Sequence, residues 1–115
     1  MLFATKLITI SGNIILNICD PELLDKTVKN GTTEIKIHSN YYNENIVDEI
    51  EATKLLETCT SANLVGEKTI SLSIKNGLGS ENGVRKIDGT PFLIVFKVWS
   101  SQIYTKIIVL VCGKT

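Results

Sequence analysis

The sequence is poor in the residues on which most recognisable active sites depend. It has one histidine, His38, and three cysteines, Cys19, Cys59 and Cys112, which lie far apart and include no C-x-x-C pair. This spacing argues against a disulfide framework and against a thiolate metal knuckle. We interpret the cysteines as small buried hydrophobic residues, and the sequence predicts no metal and no cofactor.

Catalytic motifs are equally scarce. His38 is predicted on the polar side of a strand, where a surface or hydrogen-bonding role is more common than catalysis. The chain contains no recognisable Ser, His and Asp order and no G-x-x-x-x-G-K-[ST] loop. The glycine-rich stretch from Gly77 to Gly83 has a last spacing one residue too long for a dinucleotide loop, and it follows a predicted helix. A non-enzymatic protein is therefore favoured.

Long uninterrupted apolar runs are also missing. The most apolar stretch, Phe92 to Cys112, contains Lys97 and Lys106, whereas a membrane-spanning helix needs about 20 nearly uninterrupted apolar residues. Near the N-terminus, Lys6 interrupts the apolar pattern that a secretory signal would show. We expect a cytoplasmic protein without a membrane partner.

Arginine is nearly absent, because Arg85 is the single arginine among 12 basic residues. Bidentate guanidinium recognition can therefore come only from Arg85, and we expect no sequence-specific reading of DNA. The net charge is zero, but residues 20–60 hold nine acids and four bases, while residues 61–115 hold three acids and seven bases. Either the two segments attract each other, or the basic segment faces an acidic partner such as RNA.

What the sequence does contain is ordinary globular material: 115 residues, 43% of them hydrophobic, which fit one domain covering residues 1–115. Periodicity and turn residues predict an α+β (mixed α/β) fold, with a mixed sheet of about five to six strands and about three helices. The first predicted elements are a hairpin of Leu7–Ser11 and Ile14–Cys19 around Gly12-Asn13, and a helix that is capped by Asp20 and runs from Pro21 to Gly31. A strand over Thr33–His38 and a loop over Ser39–Asn45 follow, and then helices over Glu49–Thr58 and Ala62–Asn76. The last predicted elements are strands over Gly83–Ile87, Phe92–Trp99 and Ile103–Cys112.

Gly66 stands out because it would lie inside the predicted third helix. A glycine in a helix interior costs about 1 kcal/mol relative to alanine. Its presence indicates close packing by another backbone, a break between two helices, or a bound ligand.

The basic residues of the second half provide the candidate nucleic-acid contacts. Lys68 and Lys75 are seven positions apart and would share one helical face, and Arg85 and Lys86 follow shortly afterwards. We predict that these four side chains bind phosphate groups. Tyr41 and Tyr42 offer rings for base stacking, although paired aromatic residues in a loop more often anchor it to the core.

Three segments carry a resemblance to a known family: Ile18 to Thr27, Tyr42, and the stretch Ser61-Ala62-Asn63-Leu64-Val65-Gly66-Glu67. With Ile74 to Leu78 and Val84 to Pro91, the chain resembles the archaeal domain-of-unknown-function family numbered 424 over about residues 7–91. The resemblance implies a small archaeal α/β protein in which Asp20, Asn63 and Gly66 are family-motif positions rather than catalytic residues. A histidine that commonly follows the late proline in the family is replaced here by Phe92, and residues 99–115 extend past the usual family ending.

Three functional hypotheses follow. The leading one is a non-enzymatic archaeal protein that associates with RNA or a ribosomal subunit, as an accessory to translation, through the basic C-terminal half. The second is a small-molecule-binding domain or an enzyme centred on Asn63, Gly66 and His38. The third is a homo-oligomeric structural module, or a protein complex, joined through the apolar strand from Tyr104 to Cys112.

Overall fold

The computed structural model describes residues 1–99 and 106–111. These residues form nine strands, three helices and two 3₁₀ turns. The strands are β1 (Leu2–Ile10), β2 (Asn13–Cys19), β3 (Thr27–Asn30), β4 (Thr33–Lys36), β5 (Asn45–Asp48), β6 (Ser61–Val65), β7 (Arg85–Ile87), β8 (Thr90–Trp99) and β9 (Lys106–Val111). The helices are α1 (Ser39–Tyr42), α2 (Glu49–Thr58) and α3 (Glu67–Lys75), with 3₁₀ turns at Pro21–Leu23 and Glu81–Gly83.

A mixed sheet forms the centre of the molecule, with the strand order β5-β1-β2-β6-β8-β7 and with β9 also paired to β8. The β2–β6 pair is parallel, and the other pairs are antiparallel. Strands β7 and β9 bind to different stretches of β8, at Thr90 to Phe92 and Ile94 to Trp99 respectively. The predicted α+β class with a mixed sheet is confirmed.

The two faces of this sheet are covered differently. Helices α2 and α3 pack on one face, where Phe3, Leu16 and Leu64 join Leu56 of α2 in the main core. The hairpin β3–β4 and the short helix α1 lie on the other face, over a smaller cluster. Alternation along each strand assigns the residues to faces, because successive side chains of a strand point in opposite directions. We call these the helix face and the hairpin face.

The helix predicted from Pro21 to Gly31 is wrong. Only a 3₁₀ turn forms at Pro21–Leu23, Asp25 adopts a positive φ of 65°, and β3 then pairs with β4. The β-branched pair Thr27-Val28 favours a strand, and Gly31 provides the positive φ that the tight turn between β3 and β4 requires. Val28 is buried in the smaller cluster on the hairpin face.

The helix predicted over Ala62–Asn76 is wrong in its first third. Strand β6 occupies Ser61–Val65, and helix α3 begins only after Gly66, which has φ 107° and ψ 152°. The segment Ala62-Asn63-Leu64-Val65 pairs with β2 and β8, so tertiary pairing overrides its helical spacing. Gly66 does not separate two helices as predicted but joins a strand to a helix, and the group packed against it is the Asp20 side chain rather than another backbone.

Other boundaries also differ from the predictions. The β1–β2 turn is Ser11-Gly12, one residue earlier than predicted, since Ile10 pairs with Asn13. The predicted loop over Ser39–Asn45 instead contains α1 and leads into β5, a strand that the sequence did not indicate. The strands predicted over Thr33–His38 and Gly83–Ile87 are shortened to β4 and β7.

Several predictions are confirmed. Helix α2 spans Glu49–Thr58, and the Asp48 side chain caps it by accepting a hydrogen bond from the Glu51 amide. The strand predicted over Phe92–Trp99 is present as β8, two residues longer at its start. The last predicted strand is present over Lys106–Val111, and its remaining residues fall outside the described ones.

Both described cysteines are buried, as predicted. The thiols of Cys19 and Cys59 have almost no exposed surface, and burial raises the pKa of Cys19 to about 12 with a further contribution from Asp20. Cys112 lies outside the described residues. Helix α2, with ten residues, is the longest described helix, and none of the described helices could span a bilayer.

Candidate functional site

The parallel strands β2 and β6 end side by side, and Asp20 and Gly66 follow directly at their ends. Asp20 follows β2 directly, is 4% exposed, and donates its amide to the Val65 carbonyl at 3.1 Å. Gly66 follows β6 with a positive φ of 107°. A Cβ at Gly66 would lie only 2.4 Å from the Cγ of Asp20, so no other residue fits there without movement. Two of the three family-motif positions, Asp20 and Gly66, therefore meet.

The Asp20 carboxylate binds the N-terminus of helix α3. Its Oδ1 accepts hydrogen bonds from the amide and the hydroxyl of Thr69 at 2.8 and 2.7 Å, and its Oδ2 accepts from the Lys68 amide at 3.1 Å. A helix N-terminus attracts anions, and here a side chain from another strand already supplies the anion. The predicted role of Asp20 as cap of a helix at Pro21 is wrong, because it makes no side-chain cap there.

A depression of about 340 Å³ adjoins this junction and is lined by Asp20, Glu22, Lys68 and the turn before Pro91. Lys68 and Glu22 form an exposed ion pair of 3.0 Å across it. The backbone amide of Glu22 itself and then the Lys68 hydrogen bond lower the pKa of the Glu22 carboxyl. The depression is mainly polar and already internally paired, which argues against a second anion bound at the helix terminus.

Asn63 lies away from this junction, on the hairpin face. Its Nδ2 donates to Oδ1 of Asn17 at 2.7 Å, and Nδ2 of Asn17 donates to the Tyr41 carbonyl at 3.0 Å. Because a carbonyl can only accept, this chain of bonds fixes which end of each amide is the donor. Asn63 is thus a positioned side chain rather than a core residue.

A small cleft opens beside Asn63 between β6 and β8. Its volume is about 160 Å³, and its lining includes Tyr42, Asn63, Val65, Phe92 and Ile94. We call it the aromatic cleft. Tyr42 packs against the cluster under the hairpin, so it anchors α1, and burial raises the pKa of its phenol to about 12. Its hydroxyl therefore remains protonated under physiological conditions.

The structure separates the four predicted phosphate contacts. Lys68 and Lys75 share the exposed side of α3, and Lys86 joins them from the outer strand β7. Arg85 pairs in register with Phe92, and directly opposed residues of an antiparallel pair point to the same side. Arg85 therefore lies on the hairpin face, next to the aromatic cleft, while the three lysines lie on the helix face.

Two adjoining depressions, of about 410 and 200 Å³, run along α3 and share Glu67 and Ser71 in their lining. We call them together the α3 groove, with Lys68 and Lys75 lining the first part and Lys86 the second. Lys75 pairs with Glu49 at 3.5 Å. Both this pair and the Lys68–Glu22 pair join the acidic segment to the basic one. Attraction between the two segments is thus part of the observed structure.

The residues of the enzymatic alternative are not brought into one pocket. Asn63 contacts Asn17, Gly66 packs on Asp20, and the His38 ring contacts the Tyr41 ring edge-on at 5.6 Å between centroids. Tyr41 itself is 58% exposed. In the described part of the chain, no group of three His, Cys, Asp or Glu side chains could hold a metal ion.

Sequence reasoning missed the partners that position these residues. Thr69 and Asn17 complete the two hydrogen-bonded networks, and Phe92 supplies one side of the aromatic cleft. The polar Asn17 between apolar neighbours in a strand was one available signal, since a buried amide needs a partner. The contact between Asp20 and Thr69 spans 49 positions and has no local signal.

The comparisons with known proteins agree with the fold and give no activity. A family model described as a protein of unknown function, DUF424, matches residues 8–98. A crystal structure of an uncharacterized conserved protein from Methanopyrus kandleri is similar with a TM-score of 0.71 and 17% identity, over 100% of this chain and 97% of that chain. No curated protein matches the chain.

Proposed function

Since the chain belongs to the DUF424 family, with a fold shared by an archaeal protein, we propose that it is a non-enzymatic, cytoplasmic accessory of archaeal translation. It associates with RNA, as presented by a ribosomal subunit, by electrostatic contact with the phosphate backbone. The observation that carries the proposal is the α3 groove, which Lys68 and Lys75 line in its first part and Lys86 in its second.

The α3 groove carries three lysines, although Glu49, Glu67 and Glu81 also line it. Each lysine can neutralise a phosphate, and this electrostatic contribution dominates binding that is independent of sequence. Ser71 lies between the two parts of the groove, where a hydroxyl can add a hydrogen bond to phosphate.

The ion pairs of Lys68 and Lys75 are compatible with this function. Their side chains are 49% and 72% exposed, and exposed ion pairs contribute little to stability. Exchanging a glutamate for a phosphate therefore costs little. The glutamates also keep the groove from being strongly positive, so binding is expected to be weak at high ionic strength.

Sedimentation of a native cell lysate through a sucrose gradient at low and high salt tests the association. We expect the protein to migrate with one ribosomal subunit at low salt and to be released at high salt. Residence at the top of the gradient in both conditions would argue against it.

A charge-reversal triple variant assigns the binding to the groove. Lys68→Glu, Lys75→Glu and Lys86→Glu together should abolish co-sedimentation and reduce the salt slope of RNA binding by about 2, because each phosphate contact to a single strand contributes about 0.7. The control variant Lys29→Glu, Lys36→Glu and Lys54→Glu changes the net charge equally at exposed positions outside the groove. An equal loss of RNA binding in the two variants would show that net charge, and not the α3 groove, determines the binding.

A further inference from the structure

We infer that the aromatic cleft on the hairpin face is a binding site for one unstacked nucleobase. The inference rests on the proposed RNA association, and it adds a second contact surface on the opposite side of the sheet from the α3 groove. Tyr42 and Phe92 would hold the ring of the base, and Asn63 would hydrogen-bond to its edge.

The cleft is small, which favours a single ring over a larger ligand. Its volume of about 160 Å³ is below the roughly 300 to 1,000 Å³ of pockets that enclose drug-sized ligands. Phe92 and Tyr42 contribute aromatic surface, and Ile94 contributes aliphatic surface. Stacking on such side chains is the common mode by which proteins hold single-stranded RNA.

The amide of Asn63 gives the cleft its polar recognition group. One N–H of Asn63 is used by Asn17, and no partner is found among the described residues for its Oδ1 or its second N–H. The bonds from Asn63 to Asn17 and from Asn17 to the Tyr41 carbonyl fix the orientation of the amide. A fixed neighbouring donor and acceptor match the donor and acceptor on the edge of a base.

Arg85 makes RNA a better occupant than a neutral planar molecule. It lies on the same face as Phe92 and directly beside it in the β7–β8 register. A guanidinium next to a stacking ring can bind the phosphate that accompanies a base. The cleft therefore offers ring and edge contacts, and Arg85 lies outside its lining on the same face of the sheet.

Fluorescence anisotropy with labelled RNA octamers tests the inference on the full chain. Octamers of A, C or U are compared with an abasic octamer that has the same ribose-phosphate backbone. Phe92→Leu keeps an apolar side chain but loses the stacking surface, and Asn63→Ala removes the amide. Phe96→Leu is the matched control, because Phe96 is on the same face of the same strand, 44% exposed and outside the cleft lining.

We expect the abasic octamer, Phe92→Leu and Asn63→Ala each to weaken binding by about tenfold, the lower range for loss of one stacked base. Phe96→Leu should bind like the unchanged protein. In NMR spectra, the side-chain amide signal of Asn63 should shift when base-containing octamers are added, and not with the abasic octamer.

The failures of the two proposals are distinguishable. If the abasic octamer and the Phe92→Leu variant bind as tightly as their references, the cleft inference is overturned and RNA association through the α3 groove stands. If no octamer binds even at low salt, the proposed function fails and the cleft inference fails with it. Thermal unfolding of each variant identifies a variant that has simply lost its fold.

Discussion

At the scale of single residues, Asp20 is the side chain on which most of the junction depends. Its carboxylate is buried and accepts three hydrogen bonds from Lys68 and Thr69. We predict that Asp20→Ala lowers the free energy of unfolding by about 2 to 4 kcal/mol, because buried donors of Thr69 are left unsatisfied. Urea denaturation monitored by circular dichroism measures the loss.

Asp48 provides the matched comparison for Asp20. It caps α2 through one hydrogen bond to the Glu51 amide and is exposed. Asp48→Ala should therefore cost only about 1 kcal/mol, which is typical for an exposed N-cap. If both variants lose the same free energy, the Asp20 network contributes no more than an ordinary cap.

Gly66 makes a second residue-scale prediction. Gly66→Ala introduces a Cβ at 2.4 Å from the Cγ of Asp20 and imposes a φ of 107° on a non-glycine residue. Gly77→Ala also imposes a positive φ, of 79°, but its Cβ would have no heavy atom within 4 Å other than those of the adjacent residues. We expect Gly66→Ala to lower the free energy of unfolding by at least about 2 kcal/mol more than Gly77→Ala does. Equal effects would show that strain at φ alone matters.

These two residues show what a sequence can and cannot reveal at this scale. The cost of a glycine inside a helix marked Gly66 as special, and the structure shows close contact there with the Asp20 side chain rather than with another backbone. The sequence could not identify Asp20 as the neighbour, because their contact depends on parallel pairing of β2 with β6 across 46 positions. Non-local pairing leaves no short-range pattern to read.

At the scale of elements, the errors have one common cause. The segments 21–31 and 62–65 contain apolar residues at helical spacing, and both form strands or turns instead. In each case, pairing with neighbouring strands determines the conformation. Strand β3 forms because it pairs with β4, and β6 forms because it pairs with β2 and β8. Helix α2 was predicted correctly since its cap and its apolar face are encoded locally.

The hairpin β3–β4 is tied to α1 by an exposed interaction that should titrate. Asp25 accepts hydrogen bonds from the Ser39 hydroxyl at 2.6 Å and the Ser39 amide at 3.1 Å. The hydroxyl first, and then the amide, lower the pKa of the Asp25 carboxyl. A lowered pKa in the folded state means that the bonds stabilise the hairpin above the unfolded pKa, and that this effect is lost as pH falls through the folded value.

We predict that Ser39→Ala raises the pKa of Asp25 toward its ordinary value, because the hydroxyl bond disappears. Carboxyl-carbon NMR titration measures the pKa directly in both proteins. Asp88 is the internal reference, since its Oδ2 lies 3.3 Å from the Lys29 amide and does not contact Ser39. An Asp25 pKa that does not move in the variant would contradict the assigned cause.

At the scale of the whole molecule, the sequence already contained the charge asymmetry but left its purpose open. The ion pairs Lys68–Glu22 and Lys75–Glu49 join the acidic segment to the basic one, so the structure uses the asymmetry internally. Three lysines also line the α3 groove. A homo-oligomer joined through the last strand stays a prediction, because β9 is described only over Lys106–Val111.

Glutamates and RNA phosphates compete for the same lysines. We therefore predict that removing the glutamates strengthens RNA binding, whereas the charge reversals weaken it. Glu22→Gln and Glu49→Gln together remove both acidic partners, leaving Lys68 and Lys75 available to phosphate. Binding of an RNA octamer at low salt should then tighten, while the melting temperature changes little because both pairs are exposed. Glu34→Gln with Glu57→Gln raises the charge equally at exposed positions outside the groove and should tighten binding less. A large loss of melting temperature without tighter binding would mean that the asymmetry serves to hold the two segments together.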